Sequence, residues 1–300
     1  MKFPRELTLR RYTTIDNPPL NPPHSIFTEF KTESNPEAQF LQYYDPLFYK
    51  HLRHKFPGAK NIRRSFSAAM HDMFVLSALD GKKNGTYVEI GGGLAIHGNN
   101  TYLLESQFDW KGISFDIDRV GKVDLYNKVR NNPCFCENAT TIDVERFFSE
   151  NNLGRHIDYL QIDIEPASQS LAALKNIPLE DYSFSIIQFE HEFCHNADDT
   201  YANEAYKYLR SYGYKRAIKN LGTAEDWYYN PKTTDPTIMA KLVRDETLNR
   251  PYELGYDTSK GVYVNNFLWG HETIMDLPHD LSSLIDFGYK VTPEDLQHIS

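Results

Sequence analysis

Val88-Glu89-Ile90-Gly91-Gly92-Gly93 is the stretch on which the reading of this chain turns. Thr86–Ile90 is a short apolar run that stops at glycines. That pattern predicts a buried strand followed by a tight turn. Glycine admits positive φ and lets backbone approach a ligand closely.

Outward from this turn the apolar runs alternate with helical periods. Strands are expected at Gly112–Asp118, weakly at Pro133–Cys136, at Ile157–Asp163 and at Ser183–Phe189. Helices are expected at Asn99–Gln107, Thr141–Glu150, Pro166–Leu174 and Asp198–Gly213. Two aromatic stretches follow, Tyr214–Ile218 and Asp226–Tyr229. Strand-helix alternation of this length implies an α/β fold with a parallel sheet covered on both faces. Ligands then sit outside the carboxyl ends of the strands. Before the turn, prolines 18, 19, 22 and 23 predict an irregular arm. From Pro36 to Leu79 the pattern is helical, with Phe66, Ala69, Met70, Met73, Phe74, Leu76 and Leu79 on one face. Residues from 235 onward show no clear period. The expected division is 1–80 as arm and helices, 81–232 as the ligand-binding core, and 233–300 as an extension for acceptor or oligomer contacts.

The glycine turn excludes some ligands. A P-loop ends in Gly-Lys-Ser/Thr, which is lacking here. A dinucleotide fingerprint is met by Gly91 and Gly93 but fails at Ile96. A pyrophosphate is also disfavoured beside Glu89, whereas a ligand carrying an ammonium and a sulfonium is favoured. The combination fits S-adenosylmethionine better. Asp116, 25 residues beyond Gly91, ends the second strand and can accept from both ribose hydroxyls, with Asp118 in reserve. Glu137 or Asn138 is the candidate for the adenine edge.

At this point the chain resembles the FkbM-type methyltransferases, a branch of the class I S-adenosylmethionine-dependent fold. Gly85-Thr86-Tyr87-Val88-Glu89-Ile90-Gly91 is similar to the family's opening strand, and Gly98 to Glu105 to the start of its next helix. Trp110-Lys111-Gly112-Ile113 with Asp116, Ile157 to Glu165, Phe189-Glu190-His191, Gly213-Tyr214 and Asp226-Trp227-Tyr228 follow in the family's order, over about residues 70–231. The resemblance implies a Rossmann-like, mostly parallel seven-stranded sheet with helices on both faces, plus an N-terminal helical extension. It implies that Glu89, Gly91, Gly93, Thr101, Glu105 and Asp116 surround the cofactor. Asn100, Asn138 and Asp163 complete the expected cofactor-binding set. Members often methylate hydroxyls of sugars or natural products, so the resemblance implies a sugar or small-molecule acceptor. One departure is plain: the family's D-x-E-G-x-E reads Asp163-Ile164-Glu165-Pro166-Ala167-Ser168, with proline for glycine and the second glutamate lost.

Methyl transfer places an acceptor oxygen about 3 Å from the methyl carbon. A sugar hydroxyl needs a base to begin taking its proton. Asp163 and Glu165 follow the fourth strand, Glu190 and His191 the fifth, and these ends are neighbours in a parallel sheet. His191 or Asp163 is expected as base, with Glu190 orienting its partners. The same four side chains offer ligands to a divalent metal, a reading the sequence does not favour. His191-Glu192-Phe193-Cys194-His195 matches a zinc-protease pattern, but that motif needs a helix and this one follows a strand-like run. Cys134 and Cys136 are too closely spaced for a zinc knuckle, so burial is expected. The rival functions are a nicotinamide-dependent oxidoreductase and an inactive methyltransferase fold kept as a binding module.

Composition narrows the partners. The net charge is −9, and the nearest basic cluster is Lys60, Arg63 and Arg64. Nucleic acid, which needs a basic face, is therefore not expected. No run of 18 apolar residues exists, so no membrane span is expected. Three cysteines and a polar, proline-bearing start without an apolar h-region imply a cytoplasmic protein. Nothing in the sequence sets the oligomeric state.

Overall fold

A computed structural model of the chain describes residues 54–62, 64–67, 71–96, 98–192, 200–221 and 225–243, with short backbone strands at Phe27–Thr28, Leu41–Tyr43, Val262–Tyr263 and Ile274–Met275. Seven strands build the main sheet: β1 Thr86–Ile90, β2 Lys111–Asp116, β3 Cys134–Cys136, β4 His156–Ile162, β5 Ser183–Glu190, β6 Lys215–Leu221 and β7 Glu225–Tyr229. Their order is β3-β2-β1-β4-β5-β7-β6. β1 to β5 pair in parallel, and β7 runs antiparallel to both its neighbours. The order reverses direction at β1, leaving a crevice beyond its carboxyl end between β1, β2 and β4, where open α/β sheets bind ligands.

Both faces of the sheet are covered. Tyr87, Tyr159, Ile186 and Trp227 pack with α1 (His71–Ala78), α2 (Tyr102–Phe108) and α7 (Pro236–Leu242). The alternate residues Val88, Leu160, Ile187 and Tyr228 pack with α4 (Val144–Glu150), α5 (Ala167–Asn176) and α6 (Thr200–Ser211). The period of two that separates these sets is hidden in the sequence, because both faces are apolar. A further helix, α3 (Asp124–Val129), follows a π-turn at Arg119–Val123. No helix among the described residues is long and apolar enough to cross a membrane.

Three expectations need correction. Among the described residues the helical reading from 36 to 79 is met as an α-helix only at α1, while Leu41–Tyr43 and Arg64–Ser65 are strands that pair with each other; residues 44–53 and 68–70, with Ala69 and Met70 of the expected face, lie outside the described residues. α1 has no single apolar face either: all eight of its residues are buried, because β5, α2 and α7 enclose it. Past residue 235, read as lacking a period, the chain forms α7. Asp235 caps it, its carboxylate accepting from the amides of Thr237 and Ile238 at 2.7 and 3.1 Å, and Pro236 fills its first turn.

Two helix starts shift for a local reason. α2 begins at Tyr102 rather than Asn99 because the Asn99 carboxamide oxygen accepts from the amides of Thr101 and Tyr102. α5 begins at Ala167, whose amide donates to Glu192 Oε2 at 2.6 Å. Residues 198–199 of the helix expected at Asp198–Gly213 lie outside the described residues, and Gly213, φ 90°, follows the end of α6.

Candidate functional site

A cavity of about 450 Å3 opens at the carboxyl ends of β1 to β4. Ile90, Gly91 and Gly93 form one wall, and Asp116 and Ile117 come from the end of β2. Glu137 and Asn138 follow β3, and Asp163, Ile164 and Glu165 follow β4. The turn itself is tightly tied. Gly91 and Gly92 both donate to Phe115 O at 2.9 Å, and Asp163 N donates to Ile90 O at 2.9 Å. These bonds bring the ends of β1, β2 and β4 into one rigid lip.

Asp116 is held in place by that lip. Its Oδ2 accepts from Gly93 N at 3.0 Å and its Oδ1 from Asp118 N at 2.9 Å. Lys122 Nζ stands 3.4 Å from Oδ2. Each carboxylate oxygen keeps a further lone pair for a ligand hydroxyl. Asp118 instead caps the π-turn, accepting from Gly121 N at 2.9 Å.

The expected cofactor set divides in two. Gly91, Gly93, Asp116, Asn138 and Asp163 line the cavity. Glu89, Thr101 and Glu105 stand behind the turn in a buried network. Glu89 accepts from Asn99 Nδ2 at 3.2 Å, Thr101 Oγ1 at 3.2 Å, Ser114 Oγ at 2.7 Å and Tyr126 OH at 3.2 Å. Burial pushes the Glu89 carboxyl up, while the Arg130 guanidinium pulls it down. Glu105 Oε2 accepts from Arg130 Nε at 2.8 Å. Asn100 is buried outside the cavity wall, its Oδ1 without a hydrogen-bond partner among the described residues. Along β1, Glu89 shares its face with Tyr87, and this orientation carries it away from the cavity.

Of the three expected catalytic side chains, Asp163 alone opens onto the cavity. Glu190 ends β5 opposite Glu225 and is not in the wall. His191 is buried, with Nε2 3.5 Å from Asp226 Oδ1; Asp226 also accepts from Arg216 Nη1 and Tyr228 OH, each at 3.0 Å. Glu192 has φ 50° and caps α5, so the first two residues of the protease-like motif are not helical; residues 193–199 lie outside the described residues. Among the described residues no three His, Cys, Asp or Glu side chains group as metal ligands. Cys134 is buried, and burial pushes its thiol up to about 12.

Asp163 is exposed to the cavity, yet desolvation against the strand ends pushes its carboxyl up to about 7. Glu225 and Glu165 push in the same direction; His71 and Lys122 oppose them. The side chain is exposed on the cavity side, so water there weakens the shift, and a ligand that displaces the water restores it. A carboxyl that titrates near neutrality suits a general base. The same shift has a cost in stability. The folded chain keeps a proton that the unfolded chain releases, so the contribution to folding is full below about pH 4 and is lost as pH rises through about 7. Asp163→Asn is therefore expected to match the parent at pH 4 and to exceed it at pH 8, by on the order of 1 kcal/mol after allowing for cavity water. Urea unfolding at the two pH values checks this; equal increments at both would remove ionisation as the cause.

Sequence reasoning missed His71 and Glu225. His71 Nε2 lies 2.6 Å from Glu225 Oε2, and Trp227 Nε1 donates to the same oxygen at 2.7 Å. The two residues are 154 positions apart, and no local pattern signals their meeting.

No family model matches the chain, and no curated protein matches it. Among solved structures it is similar to a protein described as an rRNA methylase from Clostridium thermocellum, at 12% identity and a TM-score of 0.40, over 55% of this chain and 97% of that one. It is similar to the fibrillarin/Nop5p complex at 11% identity and a TM-score of 0.42, over 69% and 93%. A third is the sugar N-methyltransferase KedS8 from Streptoalloteichus sp. ATCC 53650, at 14% identity and a TM-score of 0.27, over 47% and 51%. Likeness at this level says nothing of what the chain binds; its α/β architecture rests on the strand order and pairing above.

Proposed function

We propose that this chain is an S-adenosylmethionine-dependent O-methyltransferase of the FkbM type, acting on a hydroxyl of a sugar, glycan or related small molecule. One observation carries the reading: four carboxylates (Asp116, Glu137, Asp163 and Glu165) line the cavity against one ammonium, Lys122. An excess of negative charge in a partly desolvated cleft attracts a cationic ligand and repels a pyrophosphate. That favours S-adenosylmethionine over a nicotinamide dinucleotide. The residues present fit it. The free lone pairs of Asp116 suit ribose hydroxyls, Asn138 suits the adenine edge, and the side-chain-free backbone at Gly91 and Gly93 permits close approach. When bound, the cofactor supplies a methyl group on a positively charged sulfur.

The rest of the chemistry belongs to this chain. Asp163 accepts the proton of the acceptor hydroxyl as the oxygen attacks, and the lip formed by Ile90, Phe115 and Asp163 fixes where that carboxyl stands. A carboxyl that desolvation raises and that opens onto the ligand cavity can take a proton from a bound hydroxyl, which favours the enzyme reading over an inactive one.

Calorimetry with S-adenosylhomocysteine tests the proposal. Binding is expected, and Asp116→Ala should weaken it about 30-fold or more, the worth of one or two charge-assisted hydrogen bonds. Binding of NAD in its place, or no binding of either, would sink the reading. Once an acceptor is found, Asp163→Asn should lower turnover by about 100-fold while changing affinity for S-adenosylhomocysteine far less.

A further inference from the structure

We propose that this chain carries a second ligand site, a groove against α7 that takes a small amphipathic carboxylate. The groove shares no lining residue with the cofactor cavity and does not depend on the methyltransferase reading. Its volume is about 320 Å3, at the small end of the range for small-molecule sites. Lys215 at the start of β6 and Tyr229 at the end of β7 form one side. Tyr229 stands opposite Ile186, and Asn230 N donates to Ser185 O at 2.8 Å. The groove therefore lies toward the end of the sheet where β5 begins, whereas the cofactor cavity lies where β1 to β4 finish.

α7 carries two apolar stripes. Ile238, Met239 and Leu242 are buried in the core. Pro236, Met239, Ala240 and Val243, spaced i, i+3, i+4 and i+7, line the groove. A helix that only covers the sheet requires the first stripe alone. Met239 and Thr234 are buried and form the floor, while Lys215, Pro231, Pro236 and Ala240 are exposed and form the rim. The small side chain of Ala240 leaves the space open. The wall is also fixed in advance. Pro231 and Pro236 have locked φ, and Thr234 Oγ1 donates to Asn230 O at 2.8 Å. Little ordering is left for a ligand to impose.

Charge decides which ligand fits. Among the described residues no carboxylate lines the groove, and Lys215 is its one ionic group. Exposed Lys232 follows Pro231, and exposed Lys241 follows Ala240. None of the three lysines has a carboxylate partner among the described residues. The acid beside them in sequence, Asp235, has its carboxylate engaged by the amides of Thr237 and Ile238. In a chain of net charge −9 this is a local excess of positive charge over an apolar floor. It fits an anion with a flat apolar body, the opposite of the cationic ligand that the acidic cavity favours.

The full chain, labelled with 13C at its methionine methyl groups, tests this. Met239 is assigned by the signal lost in Met239→Leu. Naphthylacetate is expected to move that signal saturably, with a dissociation constant of about 1 mM or tighter. Naphthylethylamine, the same body with a cation, should bind at least about fivefold more weakly, and so should naphthylacetate to Lys215→Glu. Ala240→Trp, which fills the groove from an exposed position, should weaken binding about tenfold or more. A Met239 signal that naphthylacetate leaves unmoved overturns the inference. Equal binding of acid and amine, or full binding by Ala240→Trp, overturns it as well. Competition with S-adenosylhomocysteine would place the probe in the cofactor cavity and also sink it. Circular dichroism shows whether each variant is folded; should Ala240→Trp not fold, the acid-to-amine comparison and Lys215→Glu decide.

Discussion

Arg130→Ala is expected to destabilise the chain by about 3–5 kcal/mol, the usual cost of removing one partner from a buried ion pair. The guanidinium is fully buried. Its Nε donates to Glu105 at 2.8 Å. Nη1 donates to Ala95 O at 3.0 Å and Asn99 Oδ1 at 2.9 Å, and Nη2 to Tyr87 OH at 3.2 Å and Thr101 Oγ1 at 3.0 Å. Its carbon lies 4.5 Å from the centre of the Tyr126 ring. The fork therefore ties α2, β1 and the glycine turn together through every kind of donor it has. Removing it leaves Glu105 with neutral donors only, Asn131 N, Asn132 Nδ2 and Tyr87 OH, and leaves Glu89 without the cation that opposes its protonation. Arg130→Lys should recover little, because an ammonium lacks the planar fork that reaches Glu105 and Ala95 together. Arg130→Met combined with Glu105→Leu should recover part of the loss, since the pair is then removed as a whole. Urea unfolding at pH 7 measures all three. A loss below about 1 kcal/mol in Arg130→Ala would show that the loop from Gly91 to Thr101 is held by something other than this network.

The parts of this molecule legible in its sequence are those that local physics writes locally. A strand that stops at Gly91 and an acid 25 residues on were enough to place Asp116 beside the turn. The succession of strands was likewise readable, because each buried strand is a short apolar run bounded by turn residues. Direction was not readable. Glu89 sits two residues before Gly91, and only the pleat decides that it faces α2 and Arg130 rather than the ligand. His191 follows a strand just as Asp163 does, yet its ring turns toward Asp226 and not toward the cavity. The same limit hid His71 and Glu225, whose meeting depends on β7 reversing and α1 packing beneath it. The missed helix α7 is a different case: Asp235-Pro236 is a cap followed by a first-turn proline, a local signal that the absence of a wider period obscured.

Gly91→Ala should cost more function than any other single-methyl change in the turn, because the turn leaves no room there. At φ 86° a side chain is strained by about 1–2 kcal/mol. The larger effect is steric: a Cβ at Gly91 would lie 1.8 Å from Asp163 O, a backbone atom that cannot rotate away. Relief requires β1 and β4 to part at their carboxyl ends, which breaks the 2.9 Å bond from Asp163 N to Ile90 O and moves the proposed base. Gly93 provides the control. It also has positive φ, 56°, yet its nearest atom to an added Cβ is 3.9 Å away. Gly93→Ala should therefore show the backbone strain alone, about 1 kcal/mol, and a modest loss of affinity for S-adenosylhomocysteine. Gly91→Ala should lose about 100-fold or more of that affinity, since displacing the turn forfeits its backbone contacts with the ligand and, through the bonds to Phe115 O and from Gly93 N, the seat of Asp116 together. Calorimetry on the two variants, with unfolding curves to confirm that each remains folded, decides it. Similar affinities for the two would mean that the ligand does not rest against this turn, and the site would have to be sought elsewhere along the sheet.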